Sequence, residues 1–164
     1  IAEKLSGQAE ELRINDAMQR GIDLEPLAMD EYKKFSGYDV SEIGFCIHDE
    51  YDWLAVSPDG LIKDDSGKFV GGIEIKCPNS KTHIGYVRTN SLPSVYKYQI
   101  HQYFHVCEDL EWVDFMSYDP RVVQKPCNFI RIYREDIKDD LDESMEKLLK
   151  FRAKYEKYYN QILF

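Results

Sequence analysis

The chain has 164 residues, with 21 Lys and Arg against 30 Asp and Glu for a formal charge of −9, and it is 43% hydrophobic and 13% aromatic. Those proportions supply enough apolar surface for a packed core and exclude a wholly disordered chain, and the length suits one domain. No apolar run approaches the roughly 20 residues of a membrane span, no basic-plus-apolar leader argues for secretion, and net acidity argues against non-specific binding to nucleic acid. The acidity is lopsided. Residues 1–60 carry 5 basic and 14 acidic side chains, whereas residues 61–164 carry 16 of each.

In chain order, Ala2, Leu5, Ala9 and Leu12 recur at three- and four-residue steps and predict a helix over residues 2–15. A second helix is predicted from about Asp16 to Phe35. Pro26 should start a new turn or kink it, and Gly37 should end it. Alternation of Ile43, Phe45 and Ile47, of Trp53 and Ala55, and of Ile73, Ile75 and Cys77 predicts strands. Residues 94–107 return to helical spacing. Trp112–Tyr118 and Asn128–Tyr133 predict two more strands, and Asp136–Ile162 one long helix with Ile137, Leu141, Met145, Leu148, Tyr155, Tyr159 and Ile162 on one stripe. The expected architecture is α/β (α+β), a sheet flanked by helices in a single domain over residues 1–164. Its N-terminal helices occupy 1–36, its sheet core about 40–134 and its C-terminal helix about 136–162.

Cys46, Cys77, Cys107 and Cys127 include no closely spaced pair, so neither a zinc or iron–sulfur site nor a disulfide framework is expected, and the four read as reduced, mostly buried thiols.

The chemistry concentrates in Ser57-Pro58-Asp59-Gly60-Leu61 and Gly72-Ile73-Glu74-Ile75-Lys76-Cys77-Pro78. Strand side chains alternate, so Glu74 and Lys76 share the face opposite Ile73 and Ile75. A hairpin folded about Ser66-Gly67 sets Asp59 directly across from Glu74, with Cβ atoms roughly 4.5–5.5 Å apart. A bulge at Gly71-Gly72 would shift that register by one. Two carboxylates so close repel unless a cation lies between them, and oxygen donors favour Mg²⁺ or Mn²⁺. Lys76 beside them suits work on a water and on a charged phosphoryl transition state. An exposed hairpin with a salt bridge is the plainer alternative at this point.

Pro58-Asp59 followed by Glu74-Ile75-Lys76 resembles the PD-(D/E)xK nuclease signature, whose fold is a restriction-endonuclease-like central mixed β-sheet flanked by helices. The wider pattern resembles the lambda exonuclease and YqaJ-type viral recombinase branch. Gly21, Glu25, Pro26, Ala28 and Tyr32 match its first helix, Ser57 to Leu61 a strand end, Glu74 to Pro78 the Glu-x-Lys-Cys-Pro block, Tyr96 and Gln99 a Tyr-xx-Gln helix, and Tyr118 to Arg121 a Tyr-Asp-Pro-Arg turn. The resemblance implies that Asp59, Glu74 and the Ile75 backbone carbonyl bind the metal, with Glu25 reaching it directly or through water. It implies that Lys76 acts on the attacking water and that Gln99 and Tyr96 lie beside the site. It further implies a Mg²⁺-dependent 5′→3′ exonuclease, with Mn²⁺ able to substitute, acting on ends of linear double-stranded DNA and leaving 3′ overhangs for phage-type recombination. Such an enzyme would work as a closed homo-oligomeric ring, a trimer, with a single-strand annealing protein, in the cytoplasm of a bacterial host. A structure-selective or restriction-type endonuclease on the same fold, and a non-catalytic DNA- or partner-binding pseudo-nuclease, are the alternatives. The family's basic 5′-phosphate clamp lies in an N-terminal segment with no match here; the basic residues before Gly21 are Lys4, Arg13 and Arg20.

Two further patterns are weaker. His101 and His105 have helical metal-ligand spacing, but Gln102 stands where a zinc protease needs Glu. The run Lys147, Lys150, Arg152, Lys154 and Lys157 reads as a solvated helix face, and Arg88, Lys97, Arg121, Lys125, Arg131 and Arg134 form a basic pool for a DNA-facing surface.

Overall fold

The computed structural model describes residues 1–9 and 13–163. A five-stranded mixed sheet in the order β1-β4-β5-β6-β7 is formed by Val40–Ser41, Gly60–Lys63, Phe69–Lys76, Trp112–Tyr118 and Cys127–Tyr133. Among the described residues only β5 and β6 run parallel. A separate antiparallel ribbon pairs β2 (Cys46–Ile47) with β3 (Ala55–Val56). The helices are α1 (Ala2–Ser6), α2 (Asp16–Ser36), α3 (Ser80–Thr89), α4 (Lys97–Val106) and α5 (Lys138–Leu163).

Helices cover both faces of the sheet, so its central strands are buried on both sides. On one face Ala28, Met29 and Tyr32 of α2 pack with Val40, Ile62, Ile73, Ile75, Trp112 and Met116. On the other, Ile100, Tyr103, Phe104 and Val106 of α4 and Leu141 of α5 pack with Leu61, Val113, Phe115 and Ile132. Ile73 and Ile75 therefore turn toward α2 while Gly72 and Glu74 turn toward α4, the alternation expected of a strand. Gly71 belongs to this packing: a Cβ there would collide with the Trp112 ring that lies across it.

The hairpin pairs Gly60 with Ile73, Leu61 with Gly72 and Ile62 with Gly71, which continues to Asp59 opposite Glu74 as predicted. The irregularity falls between Ile62 and Lys63 rather than at Gly71-Gly72. Asp64 organises the turn, its Oδ1 accepting from the backbone N–H groups of Ser66 and Lys68, and Gly67 supplies a φ of 87°.

Several expectations need correction. The first helix stops at Ser6, where Gly7 takes a left-handed φ of 66°, and Leu12 lies outside the described residues. α2 continues unbroken through Pro26, capped by the Asn15 side chain and ended by Gly37 at φ 72°. The segment around Ile43–Ile47 forms only a two-residue strand paired with β3, with Ile43 and Cys46 against the core and Phe45 and Ile47 exposed. β5 ends at Lys76, before Cys77. Helix α3 is absent from the sequence expectations: its one buried residue is His83, so it has no apolar stripe, and the Asn79 cap starts it. All four cysteines are free but only partly buried. A short 3-10 turn at 135–137 precedes α5.

Candidate active site

The site forms where β5 outruns β4. Past Gly60 the chain of β4 turns into Pro58-Asp59, and the Asp59 side chain takes over as a pairing partner: its Oδ2 accepts from the Ile75 N–H at 2.6 Å. Backbone N–H and C=O of one strand residue point to the same edge, so the Ile75 carbonyl also faces this gap.

Glu74 is fully buried beneath α4. Its Oε1 accepts from Gln99 Nε2 at 2.7 Å and forms an ion pair with Lys76 Nζ. Its Oε2 lies 2.8 Å from the Tyr103 hydroxyl. Tyr103 is also buried, and its oxygen accepts from the Asp59 N–H at 3.0 Å and lies 2.9 Å from the Ile73 carbonyl. Lys76 sits 5.6 Å from the centre of the Tyr96 ring, which packs against Phe115; Tyr96 thus borders the site through Lys76 and not through a carboxylate.

On the other side of Asp59, a cleft of about 170 Å³ is lined by Glu25, Pro26, Met29, Asp30, Glu42 and Asp59. Negative charge dominates here. Burial and the neighbouring Glu74 push the Asp59 carboxyl up to about 6. Partial burial and Asp59 raise that of Glu25. Lys76 opposes both shifts without cancelling them. The donors are all hard oxygens, although among the described residues no three acidic, His or Cys side chains are already gathered around one point.

Just beyond Lys76, Asp119 joins three elements. It is ion-paired with Arg20 of α2 and with Arg121, and Ser80 at the start of α3 donates to it at 2.6 Å. Burial raises its carboxyl, but the bonds from Arg121, Ser80 and Arg20 outweigh that and hold it well below the usual range. Arg20 also reaches the Pro78 carbonyl at 3.2 Å, which sets this basic side chain at the margin of the site, whereas Lys4 lies over Tyr159.

The basic pool inferred from sequence is largely engaged elsewhere. Lys97 pairs with Asp140 and Arg131 with Asp114, while Arg134 bonds the carbonyls of Leu110, Phe104 and Cys107. The run on α5 forms i,i+4 pairs of Lys147 with Glu143, Lys150 with Glu146 and Arg152 with Glu156, as a solvated face does. His101 and His105 are buried on Ser144, at 2.9 and 2.8 Å. Tyr103 is the site residue that sequence reasoning missed, because an aromatic side chain at helical spacing reads as core.

Comparison with known proteins identifies the family and the fold. The family described as a YqaJ-like viral recombinase domain matches residues 2–109. An alkaline exonuclease from Laribacter hongkongensis, LHK-Exo, superposes with a TM-score of 0.72 at 34% identity, over 93% of this chain and 81% of that one. Its complex with dAMP gives a TM-score of 0.73 with the same identity and coverage. A phage-related exonuclease from Haemophilus somnus 129PT shares the fold, with a TM-score of 0.59 and 18% identity over 86% of this chain and 72% of that one. No curated protein matches the sequence. With a family match over residues 2–109 and the mixed sheet of the exonucleases, the chain belongs to the YqaJ-like viral recombinase domain family and is a nuclease of that family.

Proposed function

We propose that the chain is a divalent-metal-dependent deoxyribonuclease that digests the 5′-ended strand of linear duplex DNA and leaves a 3′ overhang for recombination. The observation that carries this reading is the meeting of Asp59, Glu74 and Lys76 at the open end of β5, with more negative charge than Lys76 neutralises. Phosphate would be repelled from such a cleft, so acids in excess fit a site for Mg²⁺, with Mn²⁺ as substitute. Asp59, Glu74 and the Ile75 carbonyl would hold the ion, with Glu25 completing its surroundings from the cleft.

A bound divalent ion there supplies Lewis acidity to the scissile phosphate and lowers the pKa of water. Lys76 orients the attacking water and offsets charge as the phosphorus becomes five-coordinate. Gln99 keeps Glu74 turned toward the gap. Arg20 and Arg121 outnumber Asp119 by one charge and offer a place for backbone phosphates near the Pro78 end. The dAMP complex of LHK-Exo is in keeping with release of mononucleotides. A closed trimeric ring and a single-strand annealing partner complete the proposal.

Linear duplexes labelled at either 5′ or 3′ ends test it, together with covalently closed circles, in Mg²⁺ and in chelator. The expected result is release of the 5′ label as mononucleotide in Mg²⁺ alone, with circles intact. Digestion in chelator would overturn the metal reading, and cleavage of closed circles would favour an endonuclease.

A further inference from the structure

Tyr103 holds an unusual position relative to the two carboxylates. Its ring is clamped between α4 and β5, against Gly72, where an added Cβ would come within 3.1 Å of Tyr103 Cδ1. The hydroxyl therefore arrives at the strand in a fixed place. One of its lone pairs takes the Asp59 N–H, at 3.0 Å. Its single proton then has two acceptors at nearly the same distance, Glu74 Oε2 at 2.8 Å and the Ile73 carbonyl at 2.9 Å.

We infer that Tyr103 is a positioning residue that registers Asp59 against Glu74 and, by turning its proton from Glu74 to the Ile73 carbonyl, frees Glu74 Oε2 for a divalent cation without leaving a buried polar group unpaired. This rests on the proposed nuclease site. The geometry explains how a fully buried carboxylate remains satisfied before the cation arrives, when a lost partner would be costly, and available once it does. Rotation of an O–H bond needs no movement of the ring, which Gly72 and the α4 packing hold still. Tyr103 stays a neutral donor throughout, because burial and the charges of Glu74 and Asp59 raise its pKa far above neutrality. Supporting partners of metal-binding side chains are typically worth 10–100-fold in metal affinity or activity.

Tyr103→Phe keeps the ring and removes only the oxygen. Calorimetric titration of the DNA-free protein with Mn²⁺ should show affinity about 10-fold or more weaker than wild type, and kcat on linear duplex should fall by about 10–100-fold with KM little changed. Gly72→Ala retains the hydroxyl but pushes the ring, and it should weaken Mn²⁺ binding in the same direction. Hydrogen exchange at the Asp59 amide should be slow in wild type and fast in Tyr103→Phe. If Tyr103→Phe folds poorly, Gly72→Ala carries the test with the same titration. Unchanged Mn²⁺ affinity in the variant that folds would overturn the inference. Mn²⁺ binding that depends on Tyr103 in a protein that leaves DNA intact would instead overturn the nuclease reading and leave this one standing.

Discussion

Two carboxylates are buried on neighbouring parallel strands, Glu74 on β5 and Asp114 on β6, one turned to each face of the sheet. Asp114 is closed off. Arg131 grips both its oxygens, at 2.8 and 2.7 Å, and Tyr32 donates to it at 2.7 Å. Arg131 in turn stacks 3.6 Å from the Trp112 ring centre, so the cation is held on both sides. One acid meets one planar cation, and no charge is left for a ligand. Glu74 also has three partners, yet among the described residues its cation is Lys76, which it shares with Asp59 and with the acidic cleft beyond. Burial alone therefore does not distinguish the two acids; unbalanced charge does, and it makes Glu74 the functional candidate of the two.

Substitution at the unbalanced pair should have the largest effect. Glu74→Ala or Asp59→Ala should cut cleavage of linear duplex by roughly 10³-fold or more, since the several kcal/mol from a bound cation would be lost. Fluorescence anisotropy in chelator should show DNA binding undiminished, because the acids repel phosphate. Residual cleavage within tenfold of wild type would erase the contrast between the two carboxylates. Lys76→Ala should come next, lowering kcat by on the order of 10²–10⁴, and Lys76→Arg should not restore it because the larger guanidinium does not exchange a proton. Steady-state kinetics checks both variants.

The balanced site should respond in stability rather than rate. Arg131→Ala leaves Asp114 buried with only Tyr32, and should cost about 3–5 kcal/mol in a denaturant titration while leaving Mn²⁺ affinity unchanged. A double replacement of Arg131 and Asp114 by Met and Leu should recover much of that loss. The smallest effect is one of pH. The raised Asp59 pKa means that the metal-free folded state holds a proton more tightly than the unfolded chain. Its contribution to stability is thus lost as pH rises from 3.8 to about 6. His105 works in the opposite sense: burial lowers its pKa from 6.5 to about 4, so stability is lost as pH falls through that interval. The Asp59 part is isolated as the difference between wild type and Asp59→Asn, which should shrink in saturating Mn²⁺. An Asp59→Asn curve parallel to wild type would show that the pair is not under charge stress.

The sheet and the acidic pair were legible for local reasons. A strand's twofold period and a turn at Ser66-Gly67 are enough to bring Asp59 opposite Glu74, and β6 is an apolar run that the fold adopts over the expected span, Trp112–Tyr118. What escaped the sequence depends on packing between distant segments. Tyr103 becomes a partner of Asp59 and Glu74 only because α4 crosses the face of β5, 44 residues after Asp59. Arg131, read from sequence as part of a basic DNA-facing pool, instead holds Asp114, against which α2 also brings Tyr32. Helix α3 has no stripe to detect, and helix formation at residues 2–15 fails at Gly7 despite well-spaced apolar residues, because the described part of that segment buries none of them.

The parallel pairing of β5 with β6, whose connection contains both α3 and α4, makes the two edges of β5 unequal in the length of chain that must be closed. The β4–β5 hairpin closes a short loop and is entropically cheap, whereas β6 can pair only after a segment of more than 30 residues has been drawn in. On that hairpin alone Asp59 and Glu74 would be neighbours without Gln99 and Tyr103, which belong to α4. Docking of α4 supplies Gln99 and Tyr103 as donors to Glu74 but also buries the pair, so their repulsion persists in the folded protein. A divalent cation between the two carboxylates would offset their repulsion on the isolated hairpin, so added Mg²⁺ is expected to speed refolding, which stopped-flow fluorescence with and without the ion checks.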